Sequence, residues 1–133
     1  MVCKMMLFDY RDFEKHYFEK ANLDNFDIKF YDFPLNNETI NHIPAEEIEK
    51  TNAISVFTTS KVNDEILDRF KNLRVISTRS SEYSHINLQA CIDRNIALIN
   101  VETPWQDVPN YILLQTFKKI TEVLCGCRDN RIV

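Results

Sequence analysis

A chain of 133 residues with one glycine, Gly126, has few forced left-handed turns. It also has no place where bare backbone can close on a pyrophosphate. Average usage would supply about 9 glycines at roughly 7%. The shortage excludes the G-x-G-x-x-G dinucleotide turn and the P-loop, both of which need several glycines in one strand-to-helix connection.

The length suits one domain, and a composition of 44% hydrophobic and 11% aromatic residues is enough to build a core. Net charge is −4, and Lys4, Lys15, Lys20, Lys29 and Lys50 are scattered among acids. Nucleic-acid binding needs clustered positive charge, so that class is set aside. No apolar run approaches the roughly 20 residues that span a bilayer. Cys3, Cys91, Cys125 and Cys127 show no framework spacing and no signal peptide precedes them, which predicts reduced thiols in the cytoplasm.

Short apolar runs alternate with helical patterns. Met5–Phe8 reads as a buried strand, and Asp12 caps a helix through Asn22 with Phe13, Tyr17 and Phe18 at helical spacing. Asp27–Phe33 alternates and stops at Pro34, as a strand does. Asn37–Lys50 is helical in two pieces broken near Pro44, and Ala53–Thr58 is the third strand. Asn63 is the N-cap of a helix to Leu73, followed by a strand at Val75–Thr78, a helix at Asn87–Arg94 and a strand at Ala97–Val101. Strands separated by helices imply right-handed crossovers and a parallel sheet. The expected fold is an α/β flavodoxin-like three-layer sandwich, a five-stranded parallel sheet of order 2-1-3-4-5. Ligands bind such sheets beyond the carboxyl ends of the strands. That places attention on Asp9–Tyr10, Phe57–Thr59, Ser77–Ser84 and Glu102–Gln106.

Residues 1–106 form this domain, and 107–127 add a long C-terminal helix before a tail at 128–133. Leu113, Phe117, Ile120 and Leu124 fall at spacings of four, three and four, and Tyr111, Ile112, Leu114 and Val123 widen the apolar face beyond one stripe. A face this wide touches a second surface. The expectation is a homodimer built on this helix.

The stretch Val75–Val101 carries the chemistry. It reads Arg79-Ser80-Ser81-Glu82-Tyr83-Ser84-His85-Ile86-Asn87, then a helix, then a strand closing in Asn100-Val101. It resembles the substrate-binding domain of the D-isomer-specific 2-hydroxyacid dehydrogenases, where Arg-Ser-Thr-Gly-x-Asp-x-Ile-Asp precedes a helix and a strand ending in Asn-Val-Pro. The opening strand ending in Phe8-Asp9-Tyr10 is similar to the lactate-type members. The resemblance covers about residues 1–115 and implies that loop amides at Ser81 and Glu82, beside Ser80, hold a 2-keto acid's carboxylate. It implies that Phe57 packs on the substrate and that Arg79 and His85 shape the loop. Read from the residues alone, Ser80 and Ser81 equally serve turn amides, and Phe57 equally serves the core.

The chain departs from the family at Glu82, where a glycine is usual. The glutamate brings a negative charge toward an anionic substrate, and backbone strain as well if its φ is positive. Ser84 and Asn87 replace acids, and Glu102-Thr103-Pro104-Trp105 replaces the family's Pro-x-Tyr-Gly. The family's catalytic arginine, glutamate and histidine, and its NAD site, belong to the other half of the enzyme. No catalytic, cofactor-binding or metal-binding residue is therefore assigned here, and His16, His42 and His85 do not match the catalytic histidine.

A receiver-type phosphoacceptor needs an acid ending the third strand, which ends instead in Phe57-Thr58-Thr59. A flavin phosphate would meet the acidic Asp9-Tyr10-Arg11-Asp12 turn. Cys125-Gly126-Cys127 supplies two thiolates, short of a closed zinc site. Two functions follow as expectations. One is the substrate-binding portion of an NAD-dependent D-2-hydroxyacid dehydrogenase, unable to transfer hydride alone. The other is a dimeric binding or regulatory module derived from it that senses a small organic anion.

Overall fold

Continuous apolar runs become the buried middle of a parallel sheet, because helices on both faces leave no solvated side to alternate toward. In the computed structural model, which describes residues 3–12, 15, 26–80 and 82–100, β1 is Cys3–Phe8, β2 Phe26–Tyr31, β3 Ala53–Val56, β4 Val75–Thr78 and β5 Ala97–Asn100. All pairings are parallel and the order is β2-β1-β3-β4-β5, as the alternating pattern predicts. β3 and β4 are buried throughout, whereas β2, at one edge, alternates exposed and half-buried positions over its first five residues. β3 stops two residues short of the expected Thr58 because the Ser60 N–H turns back to the Phe57 carbonyl at 3.0 Å.

Helix starts follow local chemistry. A 3-10 helix at Thr39–His42 and α1 at Ala45–Lys50 flank Pro44. The Asn63 side chain accepts from the Ile66 N–H at 3.1 Å to start α2, Asp64–Arg69. Asn87 does the same for Ala90 at 3.1 Å to start α3, Leu88–Asp93. Each cap occupies a donor that the first turn leaves without a helical partner. α2 ends earlier than the expected Leu73, where the Phe70 N–H bonds the Leu67 carbonyl.

One sheet face carries the larger core. There Met6, Phe8, Ile54, Ile76 and Leu98 pack with Ile40, Ile48, Ile66, Leu67 and Ala90. The other face holds Cys3, Met5, Leu7, Ala53, Val75, Ala97 and Ile99. Ser55 and Ser77 stand opposite each other in the β3–β4 register. Among the described residues, Ser77 Oγ is the buried side-chain polar atom without a hydrogen-bond partner. Burying an unpaired hydroxyl costs free energy that an alanine methyl does not. Ser77→Ala is therefore expected to raise unfolding stability by about 1 kcal/mol in urea titration; a clear loss would show that the hydroxyl has a partner.

With glycine absent from the described residues, the left-handed positions among them fall to Asp9, φ 52°, and Asn95, φ 59°, residue types whose short polar side chains tolerate that region. Asn95 follows α3, and the next N–H, of Ile96, reaches back to the Cys91 carbonyl at 2.9 Å, closing the helix end. No helix among the described residues is long and apolar enough to cross a membrane. The expected helix after Asp12 falls largely outside the described residues. The segment carrying Leu113, Phe117, Ile120, Leu124, Cys125 and Cys127 lies wholly outside them.

Candidate functional site

The carboxyl ends of β1, β3 and β4 meet at one rim, and the loop after β4 is tied there by a chain of hydrogen bonds. Ser80 Oγ donates to the Glu82 carbonyl at 3.2 Å, which uses its one proton. The 3.0 Å contact between Thr78 Oγ1 and Ser80 Oγ must then have Thr78 as donor. Thr78 Oγ1 also lies 2.9 Å from His85 Nε2, and with its proton spent it can only accept there. The order is His85 Nε2–H to Thr78, Thr78 to Ser80, Ser80 to the Glu82 carbonyl. His85 thus carries its proton on Nε2, and Nδ1 is left as an acceptor. Tyr83 closes the loop on its other flank by donating its hydroxyl to Asn100 Oδ1 on β5 at 2.7 Å.

His85 is half-buried, and desolvation lowers its pKa below the usual histidine value, opposed by the negative charge of Glu82. The folded state therefore resists protonation more than the unfolded chain does. That stability is complete above the unfolded pKa of about 6.5 and is withdrawn as pH falls through the lower folded value. Between about pH 7 and pH 5 the urea midpoint of His85→Gln is expected to fall less steeply than that of the parent chain. Parallel profiles would remove His85 from the titration.

Arg79 anchors the base of the loop. It is 3% exposed. Its Nη1 donates to Ser55 Oγ at 3.0 Å, and its Nη2 to the carbonyls of Phe8 at 2.7 Å and Asp9 at 3.2 Å. One guanidinium thus ties the end of β4 to the end of β1 across β3. Asp9 is pinned from every side. Its N–H donates to the Phe33 carbonyl at 2.9 Å, its carbonyl receives Arg79, and its carboxylate accepts from the Thr59 hydroxyl. A left-handed non-glycine residue persists where surroundings over-determine it, as they do here.

The sequence-derived candidates divide by position. Ser80 and His85 join one network through Thr78, which the Glu82 carbonyl ends, while Arg79 bonds Ser55 and the Phe8 and Asp9 carbonyls at the base of the loop. Ser81 lies outside the described residues. The Glu82 side chain is exposed, and its φ is not positive, so the residue is accommodated without left-handed strain. Phe57 is half-buried, and the Arg11 guanidinium sits over its ring at 5.1 Å. The sequence marks Asp9 as a strand-end position and, with Arg11, as part of an acidic turn; it marks Asn100 as the close of a strand and does not distinguish Lys61. The available signal was their place at strand ends. Among the described residues, no group of three or more His, Cys, Asp or Glu could hold a metal ion.

Residues 5–104 match the D-isomer-specific 2-hydroxyacid dehydrogenase catalytic domain. The chain belongs to the D-isomer-specific 2-hydroxyacid dehydrogenase family. Solved structures of family enzymes share its fold. D-lactate dehydrogenase from Aquifex aeolicus, complexed with NAD and lactic acid, superposes with a TM-score of 0.64 at 25% identity, over 73% of this chain and 27% of that one. The Salmonella D-lactate dehydrogenase gives 0.64 at 15% identity over 96% of this chain and 40% of that one. The Escherichia coli enzyme gives 0.62 at 20% identity over 74% and 30%. The chain thus spans less than half the length of these dehydrogenases. No curated protein matches its sequence.

The described residues do not fit the dinucleotide that such enzymes use. A pyrophosphate needs a strand-to-helix turn where backbone N–H groups are uncovered by side chains. No described turn contains glycine, and the turn after β1 presents the Asp9 and Asp12 carboxylates.

Proposed function

We propose that this chain is the substrate-holding domain of an NAD-dependent D-2-hydroxyacid dehydrogenase and cannot transfer hydride by itself. The observation that supports this reading is the loop after β4, tied at the sheet rim by the bonds of Arg79, Thr78 and His85, with Glu82 exposed. In this reading the loop amides that the family gives to a 2-keto carboxylate are those of Ser81 and Glu82, beside Ser80, with Phe57 and its partner Arg11 on the neighbouring strand end. Hydride transfer needs a nicotinamide facing the carbonyl carbon and a proton donor beside the oxygen. In this reading a cofactor-binding unit supplies both. Cys91 is a free, buried thiol, in keeping with a reducing cytoplasm.

The test is calorimetric. Pyruvate is titrated into the purified chain with and without NADH, and NADH oxidation is followed in parallel. Pyruvate binding without NADH binding or turnover is expected. Saturable NADH binding, or steady oxidation of NADH, would overturn the division of labour. Absence of pyruvate binding would overturn the substrate-holding role.

The same reading pairs the chain with a second copy through Leu113, Phe117, Ile120 and Leu124. A dimer mass by light scattering is expected, and the double change Phe117→Asp and Ile120→Asp should abolish it. A monomer mass for the parent chain rules the pairing out.

A further inference from the structure

The outer edge of β2 carries a pattern that is complementary to itself. Among the described residues β2 pairs on one side, with β1. An open strand edge offers main-chain donors and acceptors to a further strand. The strand reads Phe26-Asp27-Ile28-Lys29-Phe30-Tyr31, with no proline to interrupt such a ladder. Phe26, Ile28 and Phe30 lie on the face of Cys3, Met5 and Leu7 and are half-buried there. Asp27 and Lys29 lie on the opposite face and are exposed.

A two-fold axis perpendicular to the sheet joins two copies of one edge as antiparallel neighbours. With that axis at Ile28, Ile28 faces Ile28 of the second copy, Phe26 faces Phe30, and Asp27 faces Lys29, the last two pairings occurring twice. Directly opposed side chains on one face interact, favourably for opposite charges and unfavourably for like ones. An axis at Asp27 would oppose two aspartates, and an axis at Lys29 two lysines, so the charges select one register. A lone edge lysine deters pairing; the acid two positions before it reverses that effect in this register. Asp27 already touches Lys4 at 3.5 Å and Lys29 touches Glu47 at 3.0 Å. An ammonium has three donors and a carboxylate has two accepting oxygens, so each can serve a second partner.

We propose that β2 is a self-recognition edge, on which a second copy of this chain docks antiparallel about Ile28 and joins the two five-stranded sheets into one. Asp27 and Lys29 cross-pair on one face while the stripes of Phe26, Ile28 and Phe30 abut on the other. The contact goes beyond the substrate-holding role and uses a different part of the chain from residues 113–124. One short strand makes a weak contact, with a Kd of roughly 1 mM, so it joins molecules only when they are concentrated.

Charge exchange tests the register. The full ¹⁵N-labelled chain is concentrated from about 0.05 to about 2 mM, and amide shifts are followed residue by residue. Residues 27–31 should shift with concentration, and about 1 M salt should weaken the effect several-fold by screening the crossed charges. Asp27→Lys alone and Lys29→Asp alone each place like charges at both crossings and should weaken association about ten-fold. Both positions are exposed, and unchanged β4 amides report that each fold is intact. Mixing labelled Asp27→Lys chain with unlabelled Lys29→Asp chain restores opposite charges at both crossings, so the shifts should return to the parent size. Single exchanges without effect, a mixture that fails to recover, or insensitivity to salt overturns the ionic register. Concentration-dependent shifts around Leu88 and Ile92, the exposed apolar pair of α3, with none in β2, place self-contact on that helix and overturn the proposal. Absence of any concentration dependence at residues 27–31 overturns it outright.

Discussion

Arg79→Met is expected to remove about 3 to 5 kcal/mol of unfolding stability, a large share of the roughly 5 to 15 that a domain possesses. The substitution keeps much of the side-chain volume, so the loss isolates hydrogen bonding. The Phe8 and Asp9 carbonyls and Ser55 Oγ, which now receive the guanidinium, would stay behind. A buried ionic group can be replaced by an apolar one at little cost when its partners go too. Here the Phe8 and Asp9 acceptors are main chain and cannot be deleted. Arg79→Lys retains the charge but not the forked geometry that reaches two strands at once, so it should recover only part of the loss. Urea denaturation of the three proteins decides the matter, and a loss below about 1 kcal/mol for the methionine variant would mean that water replaces the guanidinium.

Phe8→Ala is the second large effect. Phe8 has no exposed surface. Its ring stacks on Tyr31 at 5.2 Å between centroids and lies 6.4 Å from that of Phe33, while Tyr31 and Phe33 are 5.4 Å apart. Truncating a buried phenylalanine costs about 3 to 5 kcal/mol through lost transfer energy and the cavity left behind. The effect should also be local. Among the described residues β2 is an edge strand that pairs with β1 alone, and the Phe8 ring is one of the side chains joining them. Amide exchange at residues 26–31 should therefore quicken more than at β4. Uniform quickening across the sheet would indicate global destabilisation with no special role for the aromatic cluster. Because Phe8 also gives its carbonyl to Arg79, the two substitutions should not add.

Much of the scaffold was legible because it is local. Asn63 and Asn87 announce helix starts by themselves, since a cap needs only the next three residues. Ala53–Val56, Val75–Thr78 and Ala97–Asn100 read as buried strands because burial on both faces writes an apolar run into the chain. The site was less legible because its bonds join distant residues. Arg79 stands out in a motif, but nothing near it in sequence says that it reaches a carbonyl 71 positions earlier. Asp9 meets Thr59 across 50 positions, and that meeting helps hold its left-handed backbone. The lowered affinity of His85 for protons likewise arises from burial, a property of the assembled loop. Glu82 is the instructive case. As a letter in place of glycine it foretells crowding and possible strain, yet its backbone stays at negative φ and its side chain leaves the rim.

The strand order also has a consequence for the chain as it is made. β1 leaves the ribosome before the other four strands of the sheet but ends between β2 and β3, so both its edges need partners synthesised later. No hairpin can serve in the interim, because every neighbour is parallel and reached by a crossover. Until Ala53–Val56 has been translated, the stretch Met5-Met6-Leu7-Phe8 must wait with an open edge, a state that invites pairing with other nascent chains. The same central strand that organises the finished rim is therefore the part of the newborn protein most in need of a chaperone.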